Sequence, residues 1–303
     1  MADKLNLCKT AIQRRLFESA VDIADNAPEK ISFLHTVFCQ TGLPYKNPGD
    51  QVRRWERKNG AISLLVKAGE ALNPESEAYE EVGLPFGPKP RLILTYLNSE
   101  AIKTQSSLIE VDNSLTAFVK RLGLNNGGRS IRTVKDQLTR LSTSDVVLGT
   151  IQDGRAFQTK ANIIETFDLW LRKDVNQRVL WPSTVQLSQR YFESLMMHAV
   201  PLDERAIAAL SHSAMGLDIY AWLSQRLHRV KKSEGQFIPW TSLKEQFSQG
   251  DTRMDNFKRI FRKALNMVHS QYSAARFELD NRGIILLNSP PPVKAAQILI
   301  SQK

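Results

Sequence analysis

Between residues 131 and 141 the large apolar side chains are Ile131, Val134, Leu138 and Leu141, at steps of three, four and three. That spacing puts all four on one stripe of a helix and turns Arg132, Lys135, Thr139 and Arg140 elsewhere. The pattern returns from Arg253 to Tyr272. There Met254, Phe257, Phe261, Leu265, Val268 and Tyr272 form the stripe, while Arg253, Lys258, Arg259, Arg262 and Lys263 crowd the first half. Each basic helix follows a shorter one. LTAFVKRL, capped by Asp112 or Ser114 and stopped by Gly123, precedes the first through the turn LNNGGRS, whose Asn and Gly residues accept positive φ cheaply. Pro239 to Phe247, capped by Thr241 or Ser242, precedes the second, with Gly250 near the turn. A strand pair follows each long helix: Val146 to Ile151 and Phe157 to Phe167 joined through QDGR, then FELDNRGIILL with its tip at Asn281 to Gly283.

Helix, turn, basic helix and hairpin, occurring twice, predict an α+β, predominantly helical chain with two tandem winged-helix domains at 81–174 and 175–303. Residues 1–80 are expected to form a small N-terminal region, helical with a short strand. In it, residues 9–25 read as a helix, Ile31 to Phe38 as an apolar stretch, RRWERK as a solvated helix and AISLLVKAG as a strand. The acidic segment from Asn73 to Glu81 marks its end. GLPFGPKPRLILTYLN then predicts a helix with Pro90 in its first turn and Leu92, Ile93, Tyr96 and Leu97 inward, followed by a strand from Ser107 to Val111. Residues 172–178 read as a linker, VLWPSTVQL as a strand and QRYFESLMMHA as a helix. Pro201 and Asp203 start another helix, and Ile219 to Val230 form one more.

Charge sharpens this picture. The chain of 303 residues is long enough for two cores, and its net charge of +10 favours a polyanionic partner. Lys plus Arg against Asp plus Glu number 11 against 11 in residues 1–80, 13 against 10 in 81–174 and 17 against 10 in 175–303. The excess therefore belongs to the two repeated units. The candidate DNA contacts are Arg129, Ser130, Arg132, Thr133, Lys135 and Arg140, with Arg155 on the first hairpin, and Arg253, Lys258, Arg259, Arg262 and Lys263, with Arg282 on the second.

Catalytic chemistry has little support. His35, His198, His212, His228 and His269 show neither HExxH nor His-x-His, and the Gly-rich stretches GLPFGPKPR and NNGGRS lack the GK[ST] of a phosphate loop. No enzyme activity, metal or cofactor is expected. Cys8 and Cys39 form no CxxC, which points to a reduced, cytoplasmic protein. MADKLNLCKTAIQRR has no apolar h-region, and no uninterrupted apolar run approaches about 18 residues, so no membrane partner is expected. Trp170, Trp181, Trp222 and Trp240 sit among apolar neighbours and read as core.

Several phrases are also familiar. GLPFGPKPRLILTYLN at 83–98, SLTAFVKRLG at 114–123, GGRS at 127–130, KDQLTRLS at 135–142 and FDLW at 167–170 resemble the plasmid-encoded RepA family of replication initiators, as do FCQTGLPY and WERKNG. The likeness runs from about residue 33 to about residue 272. It implies a protein that binds double-stranded DNA at direct repeats (iterons) of a plasmid origin and recruits host replication proteins, an initiator and a helicase among them. Such initiators exist as monomers and as homodimers, and the sequence does not choose between them. The rival readings are a winged-helix transcriptional regulator acting as an autorepressor and, more weakly, a rolling-circle nicking initiator.

Overall fold

The computed structural model describes residues 10–73, 76–111, 115–152, 155–160, 162–166, 184–250 and 252–294. Two compact units share the chain: a discontinuous one, Met1–Gly42 with Ala199–Lys303, and a continuous one, Leu43–His198.

The discontinuous unit opens with α1 (Ala11–Asp25). Thr10 and Gln13 cap it reciprocally, each side chain accepting from the other's amide at 3.2 and 3.1 Å. Next come β1 (Ile31–His35), buried along its whole length, and α2 (Thr36–Gln40).

The continuous unit runs through β2 (Arg54–Asn59), β3 (Ile62–Lys67), β4 (Glu70–Asn73), β5 (Ala78–Glu81), α3 (Pro88–Thr104), β6 (Leu108–Glu110), α4 (Leu115–Arg121) and α5 (Gly128–Thr143). It closes with β7 (Asp145–Gln152), β8 (Arg155–Lys160), β9 (Ile164–Thr166), β10 (Thr184–Leu187) and α6 (Gln189–His198). The hexapeptide RRWERK, expected as a helix, lies mostly in β2. Pairing with β3 sets Trp55 opposite Val66 and Arg57 opposite Leu64. Two residues apart in a strand, Trp55 and Arg57 share a face, and the buried guanidinium lies 4.5 Å over the indole. Cross-strand packing thus overrides the charged composition. The first expected hairpin is present in part as β7 and β8, its second strand ending at Lys160 while Ile164–Thr166 forms a separate strand, and β7 also pairs with β3, giving an antiparallel sheet in the order β2-β3-β7-β8. β6 pairs instead with β10, in a sheet ordered β6-β10-β9. The tip at 153–154, the proposed caps at 112 and 114, Cys8, FDLW and the linker lie outside the described residues.

The chain then returns to the discontinuous unit with β11 (Ala199–Asp203), α7 (Glu204–Leu210), α8 (Ala214–Arg226), β12 (Gln236–Pro239), α9 (Trp240–Phe247), α10 (Met254–Gln271), β13 (Arg276–Leu279) and β14 (Gly283–Leu287). Asp203 caps α7 as expected, accepting from the Arg205 amide at 2.9 Å. Neither Thr241 nor Ser242 caps α9; the helix begins at Trp240, ahead of both, with Pro239 at its N-cap and no side-chain cap bond. β11 pairs antiparallel with β1, from Ile31 opposite Asp203 to His35 opposite Ala199. Ile31, Phe33, Val37 and Phe38 are buried in this unit, beside a nearly fully buried α8. Residues 1–80 therefore contribute to both units. The divisions fall after residues 42 and 198, where the sequence reading placed them after 80 and 174.

Candidate nucleic-acid interface

The clearest basic surface is built on α8, β12, α9, α10, β13 and β14. β14 lies between the other two strands, with Ile238 opposite Ile284 on one side and Leu279 opposite the same Ile284 on the other. Five of the six stripe residues are buried, Phe257, Phe261, Leu265, Val268 and Tyr272 being at most 2% exposed, while Met254 at the start of the helix is half-buried. With that face fixed inward, helical spacing turns Asn256, Arg259, Arg262, Lys263 and Asn266 outward, and all five are exposed.

Trp240, read from sequence as core, is the joint of this surface. Its ring meets Phe257 and Phe261 edge-on, with centroids 6.3 and 5.8 Å away. Lys258 Nζ and the Arg262 guanidinium each approach its centroid at 5.3 Å, and its Nε1–H donates to Asp280 O at 3.1 Å. The indole therefore links two cations of α10 to the turn between β13 and β14. Lys258 Nζ makes the same connection directly, donating to Asn281 O at 3.1 Å. Within the turn, Asp280 Oδ1 accepts from the amides of Arg282 and Gly283 at 2.6 and 2.8 Å, and those two bonds hold its carboxyl below the usual carboxylate range. Arg282 remains 81% exposed at the tip, although it also meets Asp280 at 3.3 Å and lies over Phe237 at 5.7 Å.

The other cations of this surface have only light internal partners. Arg253 stands at the N-cap of α10 and faces Asp255 at 3.2 Å, both groups well exposed, a pair worth little in water. Arg259 donates to the Asn256 side-chain oxygen at 2.8 Å. Exchanging such contacts for phosphate or a base edge costs little.

The continuous unit places its candidates differently. Arg129 and Arg132 are exposed on α5, Ser130 is half-buried, and the half-buried Thr133 turns its hydroxyl to Arg129 O at 2.8 Å. Lys135 is half-buried, and that desolvation holds its amine below the ordinary lysine value. Arg140 anchors the fold. Its Nε meets the Asp136 carboxylate at 2.9 and 3.0 Å, its Nη1 donates to Leu84 O at 3.2 Å, and its guanidinium lies 5.2 Å over Phe86. The buried Gln137 accepts from the Phe86 amide at 2.8 Å. At Gly83 an added Cβ would come within 2.3 Å of Arg140 Nη1. The stretch GLPF is thus a strap held against α5. Arg132 and Lys135 share a cleft of about 440 Å³ with Glu80 and Glu81, which tempers the positive field there. Arg155 is exposed at the start of β8.

The sequence reading places Trp240 in the core, where it lies, but shows neither its role as a joint nor the turn-closing role of Asp280. Asp280 had a signal, because Asp three residues before Gly favours a side-chain-closed turn. The linking role of Trp240 had none, since its contacts join segments that periodicity treats separately. Among the described residues no group of three or more His, Cys, Asp or Glu is placed to hold a metal, and no helix is long and apolar enough to cross a membrane.

A family model described as plasmid-encoded RepA protein matches residues 84–242. No curated protein matches the chain. Among solved structures, a crystal structure of RctB domains 2-3 is similar at 8% identity and a TM-score of 0.48, covering 82% of this chain and 94% of that one. Another, of selenomethionine derivatives of the same two domains, is similar at 7% identity and a TM-score of 0.49, covering 82% and 95%.

Proposed function

The chain belongs to the family of plasmid-encoded RepA proteins, and from that premise we propose that it is a replication initiator that binds repeated sites in origin DNA and recruits host replication proteins. It carries out no reaction itself. The observation that bears most weight is the exposed cation row of α10, Arg259, Arg262 and Lys263, beside a turn that presents Arg282. A strand, two helices and a hairpin whose last strand pairs with the first are the parts of a winged helix, and an 18-residue helix of this character suits the major groove. In this reading α10 reads bases, and the turn touches the neighbouring backbone. α5, with fewer uncommitted cations, mainly contacts phosphate. Arg253, Lys258, Arg129, Ser130, Thr133 and Arg155 are proposed as flanking contacts.

A regulator would use the same surface, so the test must separate the two roles. Footprinting of the full chain on its plasmid origin should protect tandem repeats spaced by about two helical turns. Deleting the gene should abolish replication of the plasmid. Protection of a lone promoter site, with replication intact, would make the protein a regulator instead. Nicking of supercoiled origin DNA in the presence of magnesium would contradict the absence of a reaction.

A further inference from the structure

The sequence of α10 contains a single acidic residue, Asp255, and it stands on the face that carries the cations. Steps of four and three lead from Asp255 to Arg259 and Arg262, so helical spacing sets the three on one outward stripe, and all are exposed. The Asp255 side chain itself is 69% exposed. A carboxylate four positions ahead of an arginine is well placed to pair with it. Here Arg259 donates to the Asn256 side-chain oxygen at 2.8 Å, and Asp255 meets the exposed Arg253 at 3.2 Å. The carboxylate is thus held loosely, in the first turn of the helix, within the row that the DNA-binding reading presents to a polyanion. An acid in a first turn suits the helix dipole. On this face it also repels phosphate, and that cost falls on every duplex alike.

We propose that Asp255 is a specificity-determining residue of α10, accepting a hydrogen bond from the N4 amine of one cytosine in the repeat. The proposal rests on the DNA-binding reading and deepens it. A carboxylate accepts and donates nothing, so its partner in the major groove is an exocyclic amine. Adenine sets its N7 acceptor beside that amine and repels the second carboxylate oxygen, whereas cytosine has no acceptor in the groove. Guanine and thymine offer acceptors without an amine there. Arg259 and Arg262 therefore add affinity together with preference, while Asp255 adds preference by weakening the hold on every other sequence.

The full chain should be titrated, at constant ionic strength, with repeat-bearing duplex, random duplex and a set in which each base pair of one repeat is replaced in turn. Asp255→Ala should bind the repeat about five- to thirtyfold more weakly and random duplex about two- to fivefold more tightly. Across the replaced set it should become indifferent to the base at one cytosine position and keep the wild-type preferences elsewhere. Asp255→Asn should move the preference at that position towards adenine, whose N6 and N7 an amide meets together. Thermal melts report folding independently. If Asp255→Ala tightens repeat and random duplex equally, the carboxylate is a repelling charge alone and the proposal fails. It fails too if the variant melts lower while every base preference stays intact, because Asp255 then serves only the start of the helix. Indifference gained at a position other than cytosine also overturns it. Absence of any duplex binding by wild type would overturn the DNA-binding reading itself, and this proposal with it.

Discussion

Replacing Trp240 with Phe tests whether the indole joins α10 to the hairpin turn. Phe keeps an aromatic ring edge-on to Phe257 and Phe261 but loses the Nε1–H bond to Asp280 O, made at 3.1 Å. That bond contributes about 1 kcal/mol. Weaker attraction of Lys258 and Arg262 to a smaller ring removes about 0.5 to 1 kcal/mol more. At a residue only 3% exposed, the missing ring volume adds about 1 kcal/mol. The expected loss is about 2.5 to 3 kcal/mol, read from urea unfolding followed by far-UV circular dichroism. Trp222→Phe is the matched control. Trp222 is fully buried, but its Nε1–H has no partner, so substitution loses ring volume while removing an unsatisfied donor and should cost at least about 1.5 kcal/mol less than Trp240→Phe. Equal losses in the two variants, or less than about 0.5 kcal/mol for Trp240→Phe, would refute the joint.

Other substitutions separate reading from scaffolding. Arg259→Ala or Arg262→Ala should cost about 1 to 3 kcal/mol on a cognate repeat and much less on random duplex, whereas Arg132→Ala or Lys135→Ala should weaken both more evenly; fluorescence anisotropy on the two DNAs measures the difference. Arg140→Ala should lower stability by about 1 to 3 kcal/mol through loss of its bonds to Asp136 and Leu84 O, with DNA affinity of the folded protein nearly unchanged. At Gly283 an added Cβ would lie 2.1 Å from Ile238 O, so Gly283→Ala should disturb the β12–β14 pairing and cost about 1 to 3 kcal/mol in the same unfolding assay.

Periodicity located α5 and α10 and identified their buried stripes, because packing of one helix face depends on residues three and four apart. The second hairpin was legible for a similar local reason, its DNRG turn being closed by Asp280 upon the following amides. What the sequence hid was long-range. β1 finds its partner at residues 199–203, and nothing in ISFLH names that strand. The first hairpin finds β3, and nothing in its composition names that strand. For the site, residue types gave the cations but not their commitments. Arg140 and Arg262 look equivalent in a string of letters, yet the first is held by Asp136, Leu84 and Phe86 while the second stays exposed against an indole.

The central claim is that basic surfaces in both units engage duplex DNA together, and its most direct measurement is the affinity of the full chain for repeat-bearing DNA as salt is raised. Neutralising about six to ten phosphates gives a slope of log K against log salt between about −5 and −9. A slope in that range, with clear preference for the repeat over random duplex at each salt concentration, is the predicted result. A nearly flat dependence, or equal affinity for both duplexes throughout, would contradict the account.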